Sequence, residues 1–150
     1  MTEQTFPTLR MSIDIFAPLE KVWALVSTPE GVRQWFTRQT FEPRPGGRLE
    51  MHVDYGTPTT ITGEVTVFEP PHRLGFTWKQ HEQGHEPWPV DTLVLFLLEA
   101  IEGGTRVTLE HSGFDALPGA IAMAEFEAHV DGWTRANTLP ELKETAEAMK

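Results

Sequence analysis

From Leu49 to His111 the chain alternates apolar and polar residues in run after run, each stopped by glycine or proline, and this recurrence confines most of that stretch to β-strands. Leu49, Met51 and Val53 make one run, Ile61, Gly63, Val65 and Val67 the next, and Leu74, Phe76 and Trp78 a third. Residues 92–99 and 105–111 follow, joined by Glu102-Gly103-Gly104, a good hairpin turn. Leu9, Met11, Ile13 and Ile15 alternate in the same way near the start, so six strands are expected. Pro70-Pro71 marks a sharp turn between two of them. A sheet apolar on one parity has one wet face and one face that needs a cover.

Segments with helical spacing supply the cover. After Ala17-Pro18, residues 20–27 place Val22, Trp23 and Val26 as a short helix would. A second short helix fits residues 29–36, with Thr28 as its cap, Glu30 against its positive end, and Val32, Trp35 and Phe36 as its apolar face. Met123, Phe126, Val130 and Trp133 recur at the spacing of a long C-terminal helix, and Leu139, Leu142, Ala146 and Met149 continue the stripe. Pro140 interrupts it, but Thr138-Leu139-Pro140-Glu141 reads as a capping box that restarts the helix after a kink. Gly132 is expected to let this helix approach another element closely. The reading is one α+β domain over residues 1–150: strand, two short helices, five strands, long helix.

Composition and motifs narrow the partners. With 12 Lys plus Arg against 22 Asp plus Glu and no basic cluster, a net charge of −10 repels a phosphate backbone, so nucleic acid is not expected. The absence of cysteine excludes disulfides and thiolate-held metals. No apolar run reaches the roughly 18 residues of a membrane span, and residues 1–7 carry neither a basic nor an apolar leader, so a cytoplasmic protein is expected. His81-Glu82-Gln83-Gly84-His85 matches the H-E-x-x-H zinc pattern literally, but Gly84 inside it and Pro87-Trp88-Pro89 after it do not suit the helix that pattern needs. A solvated loop, lid-like over a pocket mouth, fits better, and no metal is expected there. Gly46-Gly47 and Gly103-Gly104 are turn pairs without a following helix, so no phosphate or dinucleotide loop is present, and there is no nucleophile elbow.

Several fragments together resemble a known family. They are Ala17-Pro18-x-Glu20-Lys21-Val22-Trp23, Pro29-Glu30-Gly31 with Gln34-Trp35-Phe36, Pro45-Gly46-Gly47-Arg48, and Gly63-Glu64-Val65 leading to Glu69-Pro70-Pro71-His72-Arg73-Leu74 and Phe76-Thr77-Trp78. Gly104-Thr105-Arg106-Val107-Thr108-Leu109, His111-Ser112-Gly113-Phe114 and His129-x-x-Gly132-Trp133 complete the set. Their order over residues 9–135 resembles the helix-grip, START-like superfamily, and within it homologues of the activator of the heat-shock protein 90 ATPase. The resemblance implies a helix-grip fold, in which a curved antiparallel sheet grips a long C-terminal helix. It also implies a cavity between sheet and helix that binds a small apolar or aromatic molecule without metal or other cofactor.

Trp35, Phe36, Trp78, Phe96, Met123, Phe126 and Trp133 are the expected walls, with Tyr55, His111 and His129 as the polar groups. Trp133, having open space on one side, is expected to tolerate truncation to alanine with only mild loss of stability. One alternative is a polyketide cyclase or dehydratase in which His111 or His129 moves a proton. The other is a chaperone partner in stress response, weakened because these 150 residues have no counterpart of the additional N-terminal domain of eukaryotic activators. Finally, the resemblance turns Val94, Phe96 and Leu98 inward, which puts Leu93, Leu95 and Leu97 on the outer face. That apolar stripe is expected to bring two copies together.

Overall fold

The structure is a computed structural model that describes residues 8–54, 57–134 and 138–149. Leu9–Ile15 (β1) is followed by two helices, Leu19–Ser27 (α1) and Pro29–Trp35 (α2). Six further strands follow: Arg38–Phe41 (β2), Arg48–Asp54 (β3), Pro58–Glu69 (β4), Arg73–Glu82 (β5), Thr92–Ile101 (β6) and Gly104–Ser112 (β7). A 3-10 turn at Phe114–Ala116 leads to Gly119–Thr134 (α3) and Leu139–Ala148 (α4). The strands form one antiparallel sheet in the order β1-β7-β6-β5-β4-β3-β2, and its curvature and the C-terminal helical cover match the expected architecture.

Among the described residues the sheet has seven strands, one more than expected. The additional one, β2, pairs Phe41 with Leu49 and Gln39 with Met51, but over only four residues its inward-facing set includes a glutamine, so no alternation shows. Gln39 is buried, its Nε2 donates to the Pro29 carbonyl at 2.9 Å, and its Oε1 has no partner among the described groups.

Parity elsewhere is as expected: Leu74, Phe76 and Trp78 of β5, Val94, Phe96 and Leu98 of β6, and Val107, Leu109 and His111 of β7 are all buried. The register aligns Phe76, Val94 and His111 in one row across these three strands. A bulge between Val65 and Val67 sharpens the bend of β4.

The two short helices form as their signals require. Thr28 Oγ1 accepts the Gly31 N–H at 3.0 Å, capping α2, whose first residue is Pro29. Gly31 sits where a Cβ would lie 2.1 Å from the Ala24 carbonyl, so only glycine lets α2 pack this tightly on α1.

The C-terminal stripe is carried by two helices of 16 and 10 residues rather than one, with Pro140 in the first turn of α4. Thr138 stands at the N-cap of α4 but makes no side-chain cap bond; its hydroxyl donates to the Gly132 carbonyl at 2.5 Å. α4 packs on β1, α1 and α2, while the closest backbone neighbours of α3 are the 3-10 turn and α4. α3 therefore stands off from the strands it faces, and the gap is the site described next.

The H-E-x-x-H stretch is no helix: His81 and Glu82 end β5, and Gly84 turns the chain with φ +87°. The following loop is less solvated than expected, because Trp88 folds inward to 5% exposure and packs on Phe114 and His129.

Candidate ligand-binding site

Between the sheet and α3 lies a cavity of about 660 Å3. Phe36 after α2, Val53 of β3, Ile61 of β4, Trp78 of β5 and Trp133 of α3 form its apolar wall. The polar lining comes from Thr57 before β4, Thr59, Gln80 and Glu82 on the strands, Glu125, His129 and Asp131 on α3, and Thr138 before α4. On α3 the lining residues Glu125, Ala128, His129 and Gly132 follow the spacing of a single helical face, so that face points into the space. Two of the four are small, which keeps the gap open. The missing side chain of Gly132 does not serve a close approach, contrary to expectation: a Cβ built there would meet nothing within 4 Å, and it is the carbonyl that meets Thr138.

The structure separates the expected site residues. Phe36, Trp78, His129 and Trp133 line the cavity together. Trp35 and Phe96 line instead a separate pocket of about 30 Å3, space for a water or so, and belong to the core. Phe126 packs on Phe114 with ring centres 5.5 Å apart, Met123 is 46% exposed, and neither lines the cavity. Both sit on α3 where helical phase alone suggested the interior, but α3 is too far from the sheet for its whole stripe to be covered. Tyr55 lies outside the described residues.

His111 and His129 have ring centres 5.2 Å apart and opposite circumstances. His111 is fully buried. Trp133 Nε1 donates to its Nδ1 at 3.3 Å, its Nε2–H donates to Thr92 Oγ1 at 2.8 Å, and that hydroxyl donates to the Trp78 carbonyl at 2.9 Å. Each donor finds one acceptor only if the ring is neutral with its proton on Nε2, and burial, reinforced by the charge His129 would carry, holds its pKa well below the usual range. His111 is thus a tie between β7, β6 and α3, outside the cavity lining.

His129 is different. Its Nδ1 lies 2.7 Å from the Glu125 carbonyl, which can only accept, so Nδ1 carries a proton. Its Nε2 lies 3.1 Å from Gln80 Oε1, and Trp78 Nε1 donates to that same oxygen at 3.2 Å. Burial lowers the pKa of His129 to about 4, against the raising effect of the Glu125 carbonyl, so at neutral pH the ring has a single proton. Nε2 then turns a lone pair toward an oxygen. Turning the Gln80 amide over moves the mismatch to Trp78, whose N–H would face an NH2 group.

Trp133 lines the cavity yet is only 3% exposed, with Phe36 and Trp78 rings each 5.7 Å away and Phe96 at 6.2 Å. With that many contacts, the expected cost of its truncation to alanine is about 3–5 kcal/mol, the range for a packed aromatic, in place of the mild loss read from sequence. Gln80, Glu82, Glu125 and Asp131 were not anticipated. The one available signal was helical phase, since Glu125 and Ala128 share a face with His129 and Gly132.

Residues 16–147 match the model of the activator of Hsp90 ATPase homolog 1-like protein family. The chain belongs to that family. Solved structures similar to this family member include protein MLL2253 from Mesorhizobium loti, at 25% identity and TM-score 0.72 over 94% of each chain. Protein BH1534 from Bacillus halodurans is 27% identical with TM-score 0.71, over 97% of this chain and 100% of that one. DynU16, of the dynemicin biosynthetic locus, is 27% identical with TM-score 0.70; the match covers 94% of this chain and 47% of that longer one. Among curated proteins none matches. No helix among the described residues is long and apolar enough to cross a membrane.

Proposed function

We propose that this family member works in the cytoplasm by binding a small apolar or aromatic molecule in the cavity between the sheet and α3. The observation that carries this reading is a space of about 660 Å3 walled by Phe36, Ile61, Trp78 and Trp133 with a handful of polar groups, the usual form of a small-molecule site. A solid core would have used that volume for side chains. The test is a calorimetric and fluorescence titration with 1-naphthalenemethanol, with native mass spectrometry of the freshly purified protein. Saturable 1:1 binding that quenches tryptophan emission is the expected result. No saturable binding of apolar probes, with no co-purifying mass, overturns the reading.

A second reading has one specific support. DynU16 comes from a biosynthetic locus, and His129 offers an unprotonated Nε2 at the cavity wall that could take a proton from a polyketide held against Trp78. Burial makes it a weak base, which places this reading second. Turnover of a polyketide thioester that disappears in His129→Gln would promote it over simple binding. The chaperone role implied by the family's name is tested separately, by pull-down with Hsp90 and its ATPase rate.

A further inference from the structure

The polar lining of the cavity combines neutral groups, Thr57, Thr59, Gln80, His129 and Thr138, with carboxylates. Glu82 lines one side from β5 and Glu125 lines the other from α3. Among the described residues that line the space there is no lysine or arginine. Glu82 and Glu125 are partly buried, with side chains 42% and 25% exposed, so their charges are less screened than those on the open surface. Burial first, and the charge of Glu82 second, push the Glu125 carboxyl above its usual range, so the two acids repel across the opening. His85 Nε2 lies 3.6 Å from Glu82, outside the lining, and offsets that charge only when protonated.

The second observation is independent of the acids. With the Gln80 amide placed so that its Oε1 accepts from Trp78 Nε1, the neutral His129 ring turns its Nε2 lone pair on that oxygen, and an incoming hydrogen-bond donor beside Nε2 resolves the mismatch. Aromatic faces complete the picture, because Trp78 and Trp133 are the side chains best suited to hold a cation against a ring.

Building on the proposed ligand-binding role, we infer that the ligand is a lipophilic amine. Its apolar body lies against Phe36, Trp78 and Trp133, and its protonated nitrogen faces Glu82, Glu125 and the Nε2 of His129. An anionic ligand would meet carboxylates at the opening and two acceptors at the wall. A neutral one would leave the repulsion between Glu82 and Glu125 unrelieved.

The test uses one ring system in three charge states, titrated into the full chain by calorimetry at neutral pH: 1-naphthylmethylamine, 1-naphthalenemethanol and 1-naphthoate. The amine should bind at least about tenfold more tightly than the alcohol, a margin that charge-assisted hydrogen bonds to partly buried carboxylates supply, and the carboxylate more weakly than either. Glu82→Gln with Glu125→Gln, checked for folding by circular dichroism, should shrink the ratio of amine to alcohol affinity. The probe series decides without the variants. If the alcohol or the carboxylate binds as tightly as the amine, the cation inference is wrong while the binding cavity stands. If none of the three binds, both fail.

Discussion

Gly132 separates a cavity from a filled core more cleanly than any aromatic does. It belongs to the cavity-facing side of α3, its backbone is not in the left-handed region, and a Cβ there meets no atom within 4 Å. Gly132→Ala therefore gains helix propensity, about 1 kcal/mol for an interior glycine, with no steric cost to set against it. In a chain of this size that raises the melting temperature by roughly 2–4 °C. Larger side chains at the same position extend into the space a ligand would use. The series Gly132→Ala, Gly132→Leu, Gly132→Phe should keep or raise thermal stability while affinity for 1-naphthalenemethanol falls step by step, by about tenfold or more for phenylalanine. Thermal denaturation and calorimetry on the four proteins check it. Opposite trends in stability and affinity are the signature, because filling a real core position costs about 1–3 kcal/mol. If Gly132→Ala is destabilised, the space beside α3 is already occupied; if Gly132→Phe binds the probe like the parent, the ligand lies elsewhere. Either result refutes the reasoning.

Three further outcomes are expected. Thr92→Val strands His111 Nε2–H and the Trp78 carbonyl in a fully buried setting, so the urea midpoint should drop by the equivalent of about 1–3 kcal/mol per stranded group; an unmoved midpoint would reject the network. His111 and His129 both have folded pKa values below the unfolded value near 6.5, so the unfolded chain takes up protons first. Stability is full above pH 6.5 and is lost as pH falls toward 4, by about 3 kcal/mol from His129 alone; denaturation at stepped pH should show this loss, partly relieved in His129→Gln. Leu93 is 48% exposed on the outer face of β6, with Leu95 and Leu97 half-buried beside it, and two copies are expected to pair there; light scattering that gives a monomer across the micromolar range, unchanged by Leu93→Glu, would reject the pairing.

The fold was legible wherever periodicity and a boundary signal agreed. Alternation placed Phe76, Phe96 and Leu109 inward without error, because a one-residue slip would turn each strand's apolar set to solvent. Thr28 announced α2 because its hydroxyl completes the first turn. The misses share a cause, in that tertiary contacts replaced the local signal. β2 has a buried glutamine where an apolar residue would mark it, since the Pro29 carbonyl supplies the partner. Trp88 is drawn in from a loop that reads as polar, because Phe114 and His129 offer it a surface. Thr138 spends its hydroxyl on Gly132 rather than on its own helix.

The site was half legible, and His111 and His129 show where reading stopped. Strand parity and helical phase brought both to the interior, and both are there, 5.2 Å apart. What separates them is hydrogen-bond count. His111 meets one donor, Trp133 Nε1, and one acceptor, Thr92 Oγ1, so a neutral ring satisfies every contact and has nothing left to offer a ligand. With the Gln80 amide placed to accept from Trp78, His129 meets the Glu125 carbonyl and the Gln80 oxygen, two acceptors for a ring with one proton, so its contacts are complete only with a second proton or an outside donor. Neither count follows from periodicity, because Gln80 and Thr92 come from strands whose offset is set by the β5–β6 register, and Glu125 acts through its backbone. Sequence therefore identifies which titratable groups reach an interior, while the partner atoms brought in by register decide which of them is structural and which still has chemistry to offer.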